Sequence, residues 1–446
     1  MKFISQEQIS GKVLDHLGLV SATIEKLGLC EKIDQLIPVC HEKGAKTTMG
    51  QRVCAMILNG LGFMDDRLYL FPEFLQNKPV ERLLGKGLKA EDFNDDSLGR
   101  ALDSIYAYGS TLFFSRLAFE IGIEQKLLGR SSHFDTSSVS LEGDYTESDV
   151  SNSSIKSQGK AESCISRPKY GHSKDRRPDL KQMVINLATT GSAGFPVWME
   201  AHSGNASDKK VLHEATVQMQ AFCKQLQESP SFMYVGDSAI YESCVKEAGD
   251  LLWLSRVPEN HKAAKELLRR ADNEFCWTEL PHGYRMCVME TRYRSIHQRW
   301  AMISSEQAYK REIVTLNKRI IQEHDKAEKA FRLLGHQLFS CEKDARKAGD
   351  KLGKKLKYHS LGVSVSPQLT YPQKGRPAKD AKSILKGYHV RGELLPEERK
   401  IAPHRYSRGR FILATNQLDR KILPDADILA EYKQQGQTER GFRFLK

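Results

Sequence analysis

The chain of 446 residues lacks the cysteine patterns that build metal centres or disulfide scaffolds. Its nine cysteines, Cys30, Cys40, Cys54, Cys164, Cys223, Cys244, Cys276, Cys287 and Cys341, are scattered, with no Cys-x-x-Cys pair and no repeated spacing. Neither a zinc site nor a disulfide framework is indicated, and a reducing cytoplasm fits. No apolar run approaches the ~20 residues of a membrane span, and MKFISQEQISG at the N-terminus lacks the apolar core of a signal peptide. A cytoplasmic protein without a membrane partner is expected. Acidic charge is also short: 56 Asp and Glu face 68 Lys and Arg, a net charge of +12. That balance suits a polyanionic partner, because neutralising phosphates releases counterions.

What is present divides the chain into stretches of different pattern. From Gly11 to about Ile123 apolar residues recur at helical spacing, as in Val20, Ile24, Leu27 and Leu29, and then Val53, Ile57, Leu58 and Leu61. Thr47 or Thr48 is placed to cap TMGQRVCAMILNG, and Asn94 or Asp95 to cap DDSLGRALDSIYAYG. Residues 1–125 therefore read as an all-α N-terminal domain. Two uses stay open for it: recognition of a DNA end by a helix in a groove, or a plain bundle for packing or dimerisation.

At Ser131 the pattern changes to SSHFDTSSVSL, a strand with Asp135 inside it, where aspartate is a poor strand former. After a Ser-rich loop from Asp144 to about Pro168, Met183–Ala188 and Phe195–Ala201 read as a hairpin across Gly-Ser-Ala-Gly. A helix capped by Ser207 or Asp208 follows, and then the short apolar run Phe232–Val235 ends at Gly236 and Asp237. Open α/β sheets place ligands just past the carboxyl ends of such buried strands. Leu251–Val257 reads as the next parallel strand. Strand with Asp, hairpin, helix, strand ending in Asp, helix, strand is the order of a ribonuclease-H-like α/β core, with its first part at 126–257. In that fold the first and fourth strands are neighbours, so Asp135 and Asp237 are expected to meet.

From 258 to 405 the pattern departs from a compact sheet and predicts an insertion domain, mixed and basic, with a long charged helix through SSEQAYKREIVTLNKRIIQEHDKAEKAFRLLG. Trp300, among Arg292, Arg294, His297 and Arg299, is compatible with stacking on an exposed base or with a place in the core. Residues 406–446 return to the core: RGRFILATNQ restores a strand at Phe411–Thr415, and Asp425 behind Pro424 is placed to cap a closing helix. On that helix Tyr432, Gln435, Glu439, Phe442 and Lys446 share one face. Gly436 weakens it by about 1 kcal/mol relative to alanine.

Asp135, Asp237 and Glu439 are of the type that holds two Mg²⁺ ions about 4 Å apart, since Mg²⁺ prefers hard oxygen ligands. Crowded together without metal they would repel, so disorder or partial protonation is expected there. The strand HFDTSSV, the segment GHSKDRRPDLKQ, the strand end YVGDSA and the tail Y-x2-Q-x3-E-x6-K, in that order, resemble DDE transposases of bacterial insertion sequences, specifically the superfamily with a Tyr-Arg-Glu-Lys signature (insertion sequence four type). The resemblance runs from about residue 130 to the end. It implies Asp135, Asp237 and Glu439 as the catalytic, metal-binding triad, with two Mg²⁺ ions for which Mn²⁺ can substitute. It further implies Tyr432 and Lys446 as phosphate contacts; Gln435, Lys174, Arg176, Trp300 and Arg299 are added as candidate DNA contacts from their residue types and positions. Also implied are terminal inverted repeats and target DNA as double-stranded partners, a homodimer in the synaptic complex, and cleavage followed by strand transfer. Gln435 stands where the signature has Arg, and an amide lacks the charged, bidentate phosphate contact of a guanidinium. A structure-specific nuclease without strand transfer, and a truncated, non-catalytic DNA-binding remnant acting as an inhibitor, are the alternatives.

Overall fold

The computed structural model describes residues 11–38, 45–62, 67–143, 145, 166–173, 176–228, 230–247, 251–293, 296–371 and 382–445. Lys174, Arg294, Lys446 and most of the Ser-rich loop lie outside the described residues. The protein is mixed α/β and divides into two compact units. One comprises residues 1–244, 248–251 and 433–446, and the other residues 245–247 and 252–432.

The first unit begins with helices α1 (Leu17–Lys26), α2 (Leu29–Leu36), α3 (Met49–Gly60), α4 (Phe71–Gln76), α5 (Val80–Leu84), α6 (Asp95–Tyr108) and α7 (Ser110–Glu124). The caps expected at Thr48 and Asn94 form, whereas Ser207, before the helix at Asp208–Cys223, makes no side-chain cap bond. The Thr48 hydroxyl accepts the Gln51 amide at 3.1 Å while the Gln51 side chain accepts the Thr48 amide at 3.0 Å, and the Asn94 side chain accepts the Ser97 amide at 2.9 Å. The apolar stripes meet around Leu58, Phe71, Phe93 and Leu98, all fully buried.

Strands β1 (Ser131–Leu141), β2 (Lys181–Thr190), β3 (Phe195–Ser203) and β4 (Met233–Gly236) follow, with α8 (Asp208–Cys223) before β4 and α9 (Ser238–Glu247) after it. Their order is β3-β2-β1-β4, with β1 antiparallel to β2 and parallel to β4. The hairpin turn needs left-handed backbone at both its glycines, Gly191 with φ 71° and Gly194 with φ 65°. Phe119 of α7 packs against Phe222 of α8, ring centroids 5.5 Å apart, and against Phe232 at 6.1 Å. The N-terminal helices and these strands thus share a core.

In the second unit β5 (Leu252–Arg256) and α10 (Lys262–Leu268) lead to β6 (Thr278–Leu280), β7 (Tyr284–Tyr293), β8 (Ile296–Ser305) and the long helix α11 (Glu306–His336). Then come α12 (Glu342–Gly353), the two-stranded ribbon β9 (His359–Thr370) and β10 (Ile384–Pro396), α13 (Glu398–Tyr406) and β11 (Arg410–Thr415). The strands order as β5-β11-β8-β7-β6, with β5–β11, β11–β8, β8–β7 and β7–β6 all antiparallel. This corrects the expectation that the pattern after residue 258 leaves the sheet. Residues 278–305 supply strands that pair outward from β11, while β9 and β10 pair in a separate two-stranded ribbon. The basic side chains interleaved along β7 hid a strand whose neighbours on β8 are buried.

Arg299 and Trp300 are likewise corrected. Arg299 is fully buried on β8: Nε donates to the Gln417 carbonyl at 2.8 Å, Nη2 to the Leu423 carbonyl at 2.9 Å, and Nη1 to Asp425 Oδ1 at 2.6 Å. Trp300 is buried too, its indole N–H donating to Gln298 Oε1 at 2.9 Å. Neither side chain is presented to DNA. Asp425 spends its carboxylate on Arg299, and on Arg420 at 3.2 Å, rather than on capping a helix. The closing helix is in fact two, α14 (Asp427–Lys433) and α15 (Gln435–Leu445), broken at Gln434 beside the weak helix former Gly436. Tyr432 and Gln435 therefore stand on different helices.

Replacing Arg299 with Met strands two buried carbonyls and should lower unfolding stability by about 2 kcal/mol or more. Arg299→Lys should recover little of it, because one ammonium cannot serve three acceptors in a fixed fork. Guanidinium-chloride unfolding checks both; a midpoint within error of wild type for Arg299→Met would refute the structural role. Thr48→Ala, by losing the capping box, should cost about 1 kcal/mol in the same measurement.

Candidate active site

Strand register builds the site. In the parallel pair, Ser131 stands opposite Met233, Ser132 opposite Tyr234 and His133 opposite Val235. Carried forward in step, that register sets Asp135 beside Asp237, the residue after the last of β4. Residues alternate faces along a strand, so Asp135 shares its face with His133, and Phe134 turns to the other face, where it meets Tyr234 with ring centroids 5.9 Å apart. Asp135 is half-buried and Asp237 exposed.

Both aspartates shape the local backbone. Asp135 Oδ1 accepts the Thr136 amide at 2.8 Å. Asp237 Oδ1 accepts the Ala239 amide at 2.8 Å, which caps the start of α9. A purely structural role for Asp237 would end there. An aspartate at the open end of a short, wholly buried strand also sits where such sheets expose their chemistry.

The third acid arrives on α15. Thr438, fully buried, shares a hydrogen bond with the Thr189 hydroxyl at 2.7 Å, and its Oγ1 donates to the His133 carbonyl at 3.2 Å. Gln435 Nε2 donates to the Phe134 carbonyl at 3.4 Å, and Gln437 Nε2 to the Ser192 carbonyl at 2.7 Å. Thr189 pairs with His133 and Leu187 with Asp135 across β1 and β2. A Cβ placed on Gly441 would lie 3.3 Å from Leu187, so the helix closes tightly on this face. Glu439 follows Thr438 directly and lies one turn after Gln435. The neighbours of Glu439 are thus bonded to the backbone immediately before Asp135, and Glu439 itself is exposed.

The donor set fits magnesium in kind, being hard carboxylate oxygens. Among the described residues no three His, Cys, Asp or Glu side chains stand close enough to hold a metal ion together. The structure therefore brings Asp135 and Asp237 side by side and anchors the Glu439 helix beside them, without gathering all three around one point.

The other expected contacts divide. Arg176 is exposed, with φ 59°. Its segment is tied to β2 by paired backbone bonds between Lys169 and Gln182 at 3.1 and 3.0 Å. That strap requires Gly171, where a Cβ would fall 1.9 Å from the Gly204 carbonyl oxygen. Gln435 turns its amide onto β1. The positioning residues Thr189 and Thr438 were not singled out from sequence; that Thr438 is the one hydroxyl side chain of Gln435–Leu445 is the faint signal available for it.

Among the described residues no helix is long and apolar enough to cross a membrane. Comparison with known proteins places residues 9–119, from before α1 into α7, in a match to a family described as a domain of unknown function (DUF4277). No curated protein matches the chain. Among solved structures it is similar to piggyBac transposase, seen in a cryo-EM structure of the synaptic complex with hairpin DNA, at 10% identity and a TM-score of 0.29. That alignment covers 64% of this chain and 58% of the other, so this chain spans less than two thirds of that protein's length. A likeness at this level leaves function to be argued from the residues themselves.

Proposed function

We propose that the chain is a DNA transposase on a ribonuclease-H-like core, with Asp135, Asp237 and Glu439 as its catalytic acids. Its substrates would be terminal inverted repeats and target DNA, and its synaptic form a homodimer. The observation that supports this best is the β1–β4 register, which sets Asp135 beside Asp237 although they lie far apart in sequence. The bonds of Gln435 and Thr438 to the Phe134 and His133 carbonyls support counting Glu439, on the same helix, as the third acid.

Asp135, Asp237 and Glu439 would hold the metal. When bound, Mg²⁺ supplies activation of water or a 3′-hydroxyl and charge stabilisation at the leaving oxygen. The protein's own task is placement. Asp135 is held by a strand with partners on both sides, Asp237 by the start of α9, and Glu439 by the buried Thr438 one residue away. Exposed Arg176, with Lys174 and Lys446, is assigned to backbone phosphates, whereas Gln435 is assigned to fixing α15.

Purified protein incubated with a labelled transposon end and Mg²⁺ should give both cut and joined products. Cut products alone would instead support a nuclease without strand transfer. Asp237→Asn preserves a good helix cap and should leave stability and DNA binding near wild type. It should lower cleavage about 10³-fold or more, because several kcal/mol of transition-state stabilisation depend on the metal. Retained cleavage by this variant would end the catalytic assignment. Thr438→Val should cost about 1–2 kcal/mol, through the unmet partners of a buried hydroxyl, and should reduce cleavage without changing affinity for the DNA end. Full activity would mean that α15 does not position the site.

A further inference from the structure

The second unit contains a basic cavity that the catalytic acids do not explain. It has a volume of about 460 Å³ and lies between α10, the start of α11 and the turn from α13 into β11. Cationic side chains line it from each of these elements: Lys265 and Arg269 from the first, Arg311 from the second, and Arg408 and Arg410 from the third, with Arg256 from β5.

These cations fall into two groups. Arg256 pairs with Glu259 at 2.6 Å, Arg408 approaches Glu312 at 3.9 Å, and Arg410 bonds Asp272 and the carbonyls of Leu268 and Arg270. Glu312 also accepts the Gly409 amide at 3.2 Å. These paired residues build the wall. Lys265, Arg269 and Arg311 make no side-chain ion pair or hydrogen bond among the described residues. Among the described residues the carboxylates lining the cavity are Glu259 and Glu312, and both are engaged. Lys265 and Arg269 lie one turn apart and so present charge in the same direction.

Gathering like charges around a concavity is unfavourable unless an anion completes it, and such a concavity focuses positive potential. His404, on the same wall, reports that field: burial first, then the charges of Arg269 and Arg408, hold its imidazole below the ordinary histidine range. The spacing of loose cations over several elements suits a chain of phosphates better than one compact anion, since guanidinium and ammonium groups on separate elements can each meet a different phosphate.

We infer that this cavity binds phosphate, and that its ligand is the sugar-phosphate backbone of a nucleic acid. The inference rests on the nucleic-acid reading of the chain and not on its catalytic acids. Its test is the binding of a fluorescent duplex of mixed sequence, in EDTA, by the full chain across a salt series.

The triple variant Lys265→Ala/Arg269→Ala/Arg311→Ala should bind about ten-fold or more weakly near physiological salt. The slope of log affinity against log salt should be shallower by roughly 2 to 3, one counterion contribution per lost phosphate contact. An unchanged slope would overturn the inference. Lys265→Arg/Arg269→Lys/Arg311→Lys keeps the charge and should stay within a few-fold of wild type; a loss equal to that of the alanine variant would show a structural role instead. Thermal shift with inorganic phosphate and with a nucleoside triphosphate forms the second arm. Stabilisation that is lost in the alanine variant while duplex affinity is unchanged would assign the cavity to a small phosphate ligand, and the nucleic-acid assignment would fall. Asp237→Asn should leave the slope intact. An inactive catalytic centre and an idle cavity are therefore distinguishable outcomes.

Discussion

The buried hydroxyl contact between Thr189 and Thr438 joins the first sheet of the chain to its last helix across 249 residues. A hydroxyl with no access to water must find partners inside the protein, and leaving it without them costs about 1–3 kcal/mol. Thr438 meets this demand at Thr189 and at the His133 carbonyl together, which fixes α15 both across β1 and β2 and along them. The constraint is directional in a way that apolar packing is not. Leu187 under Gly441 tolerates sliding by a fraction of an ångström, but a two-point hydrogen bond does not. Everything argued for Glu439 depends on that fastening, because the acid itself is exposed and is placed only by its neighbours.

The aspartates are placed by a different means. The β1–β4 register carries Asp135 within β1, and Asp237 just past β4, to neighbouring positions. Adjacent carboxylates would repel, yet strand pairing over β1, β2 and β4 is decided by many buried apolar side chains, among them Phe134, Tyr234 and Val235. Burial of one such side chain stabilises the fold by about 1.5–3 kcal/mol. The fold can therefore hold two like charges together at an exposed strand end, where solvent screens them.

Legibility in the sequence followed the range of the forces. Caps such as Thr48 and Asn94, and the Gly191 to Gly194 turn, are decided within a few residues, so their chemistry could be read directly. The order of strands through Asp237 was also readable, because each carried its own apolar run. Three features were not. β7 and β8 carry arginine and histidine on positions that a local reading assigns to solvent, while the acceptors of Arg299 come from the loop Gln417 to Asp425, far along the chain. Asp425 looked like a cap because its neighbour Pro424 ends one element and a helix follows, but its carboxylate is claimed by a guanidinium more than a hundred residues away. The closing helix looked continuous because only propensity speaks locally, and the hydrogen bonds that turn α15 onto β1 have no local signature.

Charge shows the same division. A surplus of Lys and Arg is a property of composition, but what a cation does depends on whether the fold supplies a counter-ion. Arg299 and Arg410 are absorbed into the interior as struts, each satisfying carbonyls that would otherwise be stranded. Lys265, Arg269 and Arg311 come from the same surplus and, among the described residues, make no side-chain ion pair along one cavity. Counting basic residues would have ranked Arg299, in its cluster with Arg292 and His297, above Arg269. The interior arginines answer to desolvation, which forbids leaving them unmatched. The uncommitted ones answer only to solvent, and so they are the ones available to a polyanion that arrives from outside.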